Sequence, residues 1–83
     1  MNPLARSPGQ VGQLIQRYRK AQGLSQTELG NRTGLRQELI SRIESGHEGA
    51  KIGTICALLA ALDLELTLGP RTKSSVADIE AIF

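Results

Sequence analysis

Apolar residues recur at helical spacing along most of the chain. Val11, Leu14, Ile15 and Tyr18 make one stripe on a helix that opens at Ser7-Pro8 and ends at Gly23. Serine is a good N-cap, and proline at the first helical position gives up no N–H that the helix needs. Ser25-Gln26-Thr27-Glu28 has the serine and glutamate spacing of a capping box, so a second helix opens at Ser25. Thr33-Gly34 interrupts it, and glycine suits a tight turn of positive φ. A third helix runs from about Arg36 to Glu44, with Leu39, Ile40 and Ile43 as inward candidates and Ser45-Gly46 as its stop. Ser45 to Lys51 reads as a polar loop. A fourth helix covers about Ile52 to Leu62. It is apolar nearly all round, which predicts the buried centre of the domain, with Cys56 packed inertly inside it.

The period then changes. Leu64-Glu65-Leu66-Thr67-Leu68 alternates strictly, as a strand does, and Gly69-Pro70 ends it. No other strand candidate exists in the sequence. A lone strand leaves its backbone groups unpaired, so pairing with the same strand of a second copy is the simplest remedy. Extended C-terminal coil with incidental alternation is the alternative. The chain thus divides into an N-terminal arm (1–7), a helical domain (8–62), a dimerising strand (63–69) and a tail (70–83). In the tail, Val76, Ile79 and Phe83 share one face of a short last turn that orders only on a partner.

Composition narrows the function. Eighty-three residues make one small domain, too little chain for most catalytic folds. No apolar run reaches the roughly 18–20 residues of a membrane span. Met1 to Gln10 lacks a signal-peptide pattern, and a single cysteine excludes an internal disulfide and a cysteine-based zinc site. A reducing, cytoplasmic setting fits. Residues 1–60 hold eight Lys/Arg against four acids, and residues 61–83 hold two against four. The first part therefore favours a polyanion and the tail does not. No nucleophile constellation is present, and His47 with Glu48 is too small a set for a metal. His47 reads as a solvent or phosphate contact. Gly46 to Lys51 lacks the spacing of a phosphate loop. No enzyme, cofactor or metal is expected.

Gln26 to Ser45 carries the functional signal. It sets two short helices around a glycine turn, with Leu29, Leu35, Ile40 and Ile43 packing them and the small Gly30 at their close approach. That is the helix-turn-helix pattern, whose second helix enters the major groove of DNA. Arg36, Gln37, Glu38, Ser41 and Arg42 are the polar residues of that helix and the base-reading candidates. Glutamine pairs bidentately with adenine and arginine with guanine. Gln26, at a helix N-terminus, is a phosphate candidate, with Arg32, Ser45 and Lys51.

From about Val11 to Leu62 the chain resembles the phage-repressor and Xre class of bacterial helix-turn-helix proteins. Arg19, Gly23-Leu24-Ser25-Gln26, Glu28-Leu29, Gly34 and Ile40-Ser41-Arg42-Ile43-Glu44-Ser45-Gly46 carry the resemblance. It implies an all-α, lambda-repressor-like domain of four to five helices, here with one C-terminal β-strand pairing across a dimer. It also implies a buried salt bridge between Arg19 and Glu44. Thr33 departs from the usual aliphatic residue and Glu38 from a small or amide one. Leu39 departs too, and is free to touch a thymine methyl rather than the core.

Four or five helices, one strand (LELTL, 64–68) and a tail resemble the HipB-type antitoxins. That resemblance implies a cytoplasmic, nucleoid-associated homodimer that represses its own operon at a palindromic operator. It also implies a HipA-type serine/threonine kinase toxin as partner, with Phe83 as the toxin-contact candidate. A stand-alone regulator of the phage-repressor or restriction-modification controller type is the alternative.

Overall fold

The computed structural model describes residues 4–71. Phe83 and the expected last turn of the tail lie outside them. Four helices follow in order: α1 (Pro8–Ala21), α2 (Gln26–Thr33), α3 (Gln37–Glu44) and α4 (Ile52–Ala61). Ser7 caps α1 by accepting from the Gln10 N–H at 3.2 Å, with Pro8 in the first turn. Ser25 caps α2 through a complete capping box: its Oγ accepts from the Glu28 N–H, and Glu28 Oε1 accepts from the Ser25 N–H, both at 3.0 Å. The Ser25 N–H bond to the Glu28 carboxyl, and second the nearby Ser25 hydroxyl, hold that carboxyl below its usual range.

All four helices end in a left-handed residue. The Leu24, His47 and Leu64 N–H groups reach back to the carbonyls of Arg19, Arg42 and Leu59. Each is the six-to-one bond of a Schellman motif. In α2 the Gly34 N–H bonds the Gly30 carbonyl at 2.8 Å, with Gly34 at φ 77°. Asp63, which ends α4, is the non-glycine among the four, at φ 60°.

Ile15, Leu24, Leu29, Ile40, Ile43, Leu58 and Leu62 form the core, drawing on every helix or its cap. Two glycines set how closely the helices approach. A Cβ on Gly12 of α1 would lie 2.1 Å from the Ile43 carbonyl oxygen, so α1 crosses α3 backbone to backbone. A Cβ on Gly30 would lie 2.7 Å from the Leu35 carbonyl oxygen, which lets α2 turn tightly into α3.

Two expectations are corrected here. The fourth helix is not the buried centre. Leu58 is its one fully buried residue, Ile55 and Leu59 pack against the core, and Ile52, Cys56, Ala57 and Ala60 are exposed. Cys56 is therefore not packed inside the domain. Uniform apolarity marks a helix with two faces to cover, and α1–α3 cover only one. Leu39, offered both as an inward residue and as a thymine contact, is half-buried against the core, in keeping with the first.

Residues 64–68 join no helix or strand in the single chain. A strand needs a second backbone to pair with, and among the described residues none pairs with this segment. Leu64 packs against the core, whereas Leu66 and Leu68 are exposed.

Candidate nucleic-acid interface

The turn between α2 and α3 is locked by its own side chains. The Thr33 hydroxyl donates to the Leu29 carbonyl at 3.0 Å and accepts from the Leu35 N–H at 3.2 Å. An aliphatic residue could do neither, which gives the departure at Thr33 a structural reason. Gly34 then reverses the chain, Leu35 packs inward, and Arg36 enters α3 in extended geometry.

Of the base-reading candidates, Arg36, Gln37, Glu38 and Arg42 are exposed and Ser41 is half-buried. Arg36, Gln37 and Glu38 occupy the cap and first turn of α3, and Ser41 and Arg42 follow one turn later. Glu38 sits where an acid favours the helix dipole, which accounts for a carboxylate on this face.

Behind this face runs a chain of hydrogen bonds. Arg19 and Glu44 are both 6% exposed and meet fork to fork. Arg19 Nε donates to Glu44 Oε2 at 2.7 Å and Nη2 to Oε1 at 2.9 Å, while Nη1 donates to the Leu24 carbonyl at 2.8 Å. The bond to Glu44 raises the Arg19 pKa, so the guanidinium stays charged. Glu44 Oε1 also accepts from Gln26 Nε2 at 3.1 Å. Gln26 Oε1 in turn accepts from Gln37 Nε2 at 2.5 Å. The chain thus leads from a desolvated ion pair to the first residue of α3. Among the described residues, no buried side-chain nitrogen or oxygen lacks a partner. A buried pair offsets its desolvation only when its geometry and remaining hydrogen bonds are this complete.

The other phosphate candidates stand outside that chain. Arg32 is exposed in the last turn of α2, one turn beyond Glu28, whose carboxyl it also helps to lower. Ser45 caps the C-terminus of α3 and Lys51 the N-terminus of α4, both exposed. Neither Arg36 nor Lys51 supplies a side-chain acceptor to the helix it opens. Sequence reasoning missed the Gln26–Gln37 link, which needs the helix crossing to be known. It also missed Gly12, and the approach of His47 Nε2 to Arg42 Nη2 at 3.4 Å. The last was traceable, because a glycine that ends a helix brings the next residue back toward the residue five before it.

The sequence pattern of the helix-turn-helix family matches residues 15–68. The chain belongs to this Xre-type helix-turn-helix family. The family is one of DNA-binding regulators, not of enzymes. Antitoxin HipB of Escherichia coli K12 is 31% identical over 74 residues, covering 89% of this chain and 84% of HipB. The HTH-type transcriptional regulator y4dL of Sinorhizobium fredii is 41% identical over 61 residues, 74% of this chain; the match spans 31% of y4dL.

Solved structures agree. The HipB–O4 20mer complex superposes with a TM-score of 0.80 at 27% identity, covering 86% of this chain and all of HipB. HipB is also solved in a HipA–HipB–O2–O3 complex. The restriction-modification controller protein C.AhdI of Aeromonas hydrophila gives 0.66 at 33% identity, over 70% of this chain and 88% of its own. Among the described residues no helix is long and apolar enough to cross a membrane.

Proposed function

We propose that this chain is a dimeric, operator-binding autorepressor and the antitoxin of a toxin–antitoxin pair. The observation that carries the DNA reading is Gln37, held at the start of α3 by Gln26 and backed by the buried Arg19–Glu44 pair. A base-reading amide gains discrimination when its side chain is fixed before binding. Arg36, Glu38, Ser41 and Arg42 complete the reading face, and Gln26, Arg32, Ser45 and Lys51 hold phosphates. The uncapped first turn of α4 behind Lys51 leaves N–H groups open to such an anion.

The dimer rests on apolar surface left without a cover. Ile52 is 67% exposed, Leu66 53% and Leu68 93%. A second copy pairing Leu64-Glu65-Leu66-Thr67-Leu68 with its own would cover strand and helix together. Two recognition helices would then meet half-sites about 34 Å apart on a palindrome. In this reading residues 1–7 serve as an arm, 8–62 as the DNA-binding domain, 63–69 as the dimer strand and 70–83 as the tail.

The HipB likeness, which spans most of both chains, and the solved HipA–HipB complex support a HipA-type kinase as partner; in this reading Phe83 is the candidate contact. The protein would then work in the cytoplasm, on the nucleoid. The likeness to C.AhdI favours a second reading, a stand-alone regulator with no toxin.

One experiment separates these readings. Wild type, Gln37→Ala and a chain ending at Asp63 are tested for binding to the DNA upstream of the gene, at about 0.1 M salt. Specific binding, lost in Gln37→Ala and weakened by truncation, is the expected result. No specific binding by wild type would leave a protein-interaction module as the better account. Co-purification with the product of an adjacent kinase gene then decides between antitoxin and stand-alone regulator.

A further inference from the structure

The loop after α3 does more than connect two helices. Gly46 turns the chain so that the His47 N–H donates to the Arg42 carbonyl at 3.0 Å. The imidazole returns to the same residue, with Nε2 3.4 Å from Arg42 Nη2. A Cβ on Gly49 would stand 3.1 Å from His47 Cε1 and 3.2 Å from Nε2, so the ring lies against the Gly49 backbone. His47 also lines a shallow groove of ≈ 200 Å³, together with apolar residues that include Pro8, Val11, Ile43 and Ile55. The ring is half-buried, whereas the guanidinium it meets is on the exposed face of α3.

From this we infer that His47 is a positioning residue for DNA recognition, its neutral imidazole orienting the Arg42 guanidinium on the outer face of the recognition helix. The inference rests on the DNA-reading role proposed above for Arg42. An arginine side chain on a helix surface samples many rotamers, and fixing one removes an entropy cost from binding. The guanidinium has donors only, so its partner must accept. Nε2 accepts when the imidazole is neutral and carries its proton on Nδ1. A protonated ring has two donors and a positive charge, so it neither accepts from Arg42 nor tolerates it nearby. A His47 that merely touched phosphate would behave oppositely, because protonation would then strengthen binding. Glu48 is the other ionisable group among the residues lining the groove, and Arg42 is the one facing the ring from α3.

The test uses the full chain and the duplex that the wild type selects from a random-sequence pool. Affinity is measured between about pH 8 and about pH 5.5, the span in which an imidazole gains its proton. His47 is the chain's one histidine. Wild-type affinity should fall on acidification by about three- to tenfold, the scale of one hydrogen bond. His47→Gln keeps an acceptor and cannot titrate in this span, so it should bind like wild type at the higher pH and stay there. His47→Leu fills the same space without an acceptor and should bind weakly at both ends. A Glu48→Gln control should keep the wild-type profile. Wild-type affinity that rises on acidification, or His47→Leu equal to wild type at the higher pH, overturns the positioning role and leaves the DNA reading intact. A wild type that selects no duplex overturns both.

Discussion

The helices of this domain begin in two different ways. α1 and α2 open on Ser7 and Ser25, whose hydroxyls accept from N–H groups of the first turn. α3 and α4 open on Arg36 and Lys51, whose side chains accept nothing from the first turn and place a cation near the positive end of the helix dipole. The first pair is closed by the chain itself. The second is left open where an anion from outside would complete it. In the helix-turn-helix reading these open ends belong to the recognition helix and the helix after the loop, where the DNA backbone passes. In that reading stability has been given up at the starts of α3 and α4 and kept at the starts of α1 and α2, where Gln26 would meet phosphate from a helix that is already capped.

That difference can be broken from several sides. The largest effect should come from the pair that anchors the open-ended α3 to α1. Arg19→Ala or Glu44→Ala leaves one buried charge unpaired and should cost about 3–5 kcal/mol, read by urea or thermal unfolding. Gly12→Ala comes next. A methyl 2.1 Å from the Ile43 carbonyl forces α1 off α3, at about 1–3 kcal/mol, with α3 shifted and DNA binding weakened.

The closed ends should behave as ordinary caps. Ser25→Ala should lose about 1 kcal/mol. It should also flatten the acid limb of the stability curve. Glu28 titrates below its ordinary value when folded, so its contribution is present above about pH 4.3 and is lost as pH falls through the lowered value. A melting series across that range checks the sign. Asp63→Gly should give the smallest change, a gain of about 0.5 kcal/mol, because glycine relieves the left-handed backbone but loses more entropy on folding.

The helical outline was legible because its signals are local. Ser7-Pro8, the spacing of Ser25 to Glu28, and Gly23, Gly34 and Gly46 each act within one turn of the chain; α1 and α2 begin at the first two and α1–α3 end at the glycines. The helix-turn-helix assignment followed from the same stretch. What was not legible depends on partners distant in sequence. Gly12 looks like a flaw in an amphipathic helix until α3 is laid across it. Apolarity shows how much surface must be covered and not what covers it, so the sequence makes the fourth helix look central. Cys56, on the same helix, looks buried for the same reason and is exposed. The Gln26–Gln37 link joins two polar residues eleven apart, which no periodicity brings together.

The central claim is that the start of α3 is built to meet DNA and not to hold the helix. Arg36→Ser tests it most directly, with melting temperature and affinity for the selected duplex measured on the same protein. Supplying the missing cap should stabilise the domain by up to about 1 kcal/mol. Removing the arginine should weaken binding by about tenfold, the scale of one base or phosphate contact. A stabilised protein that binds the duplex as tightly as wild type would contradict the account.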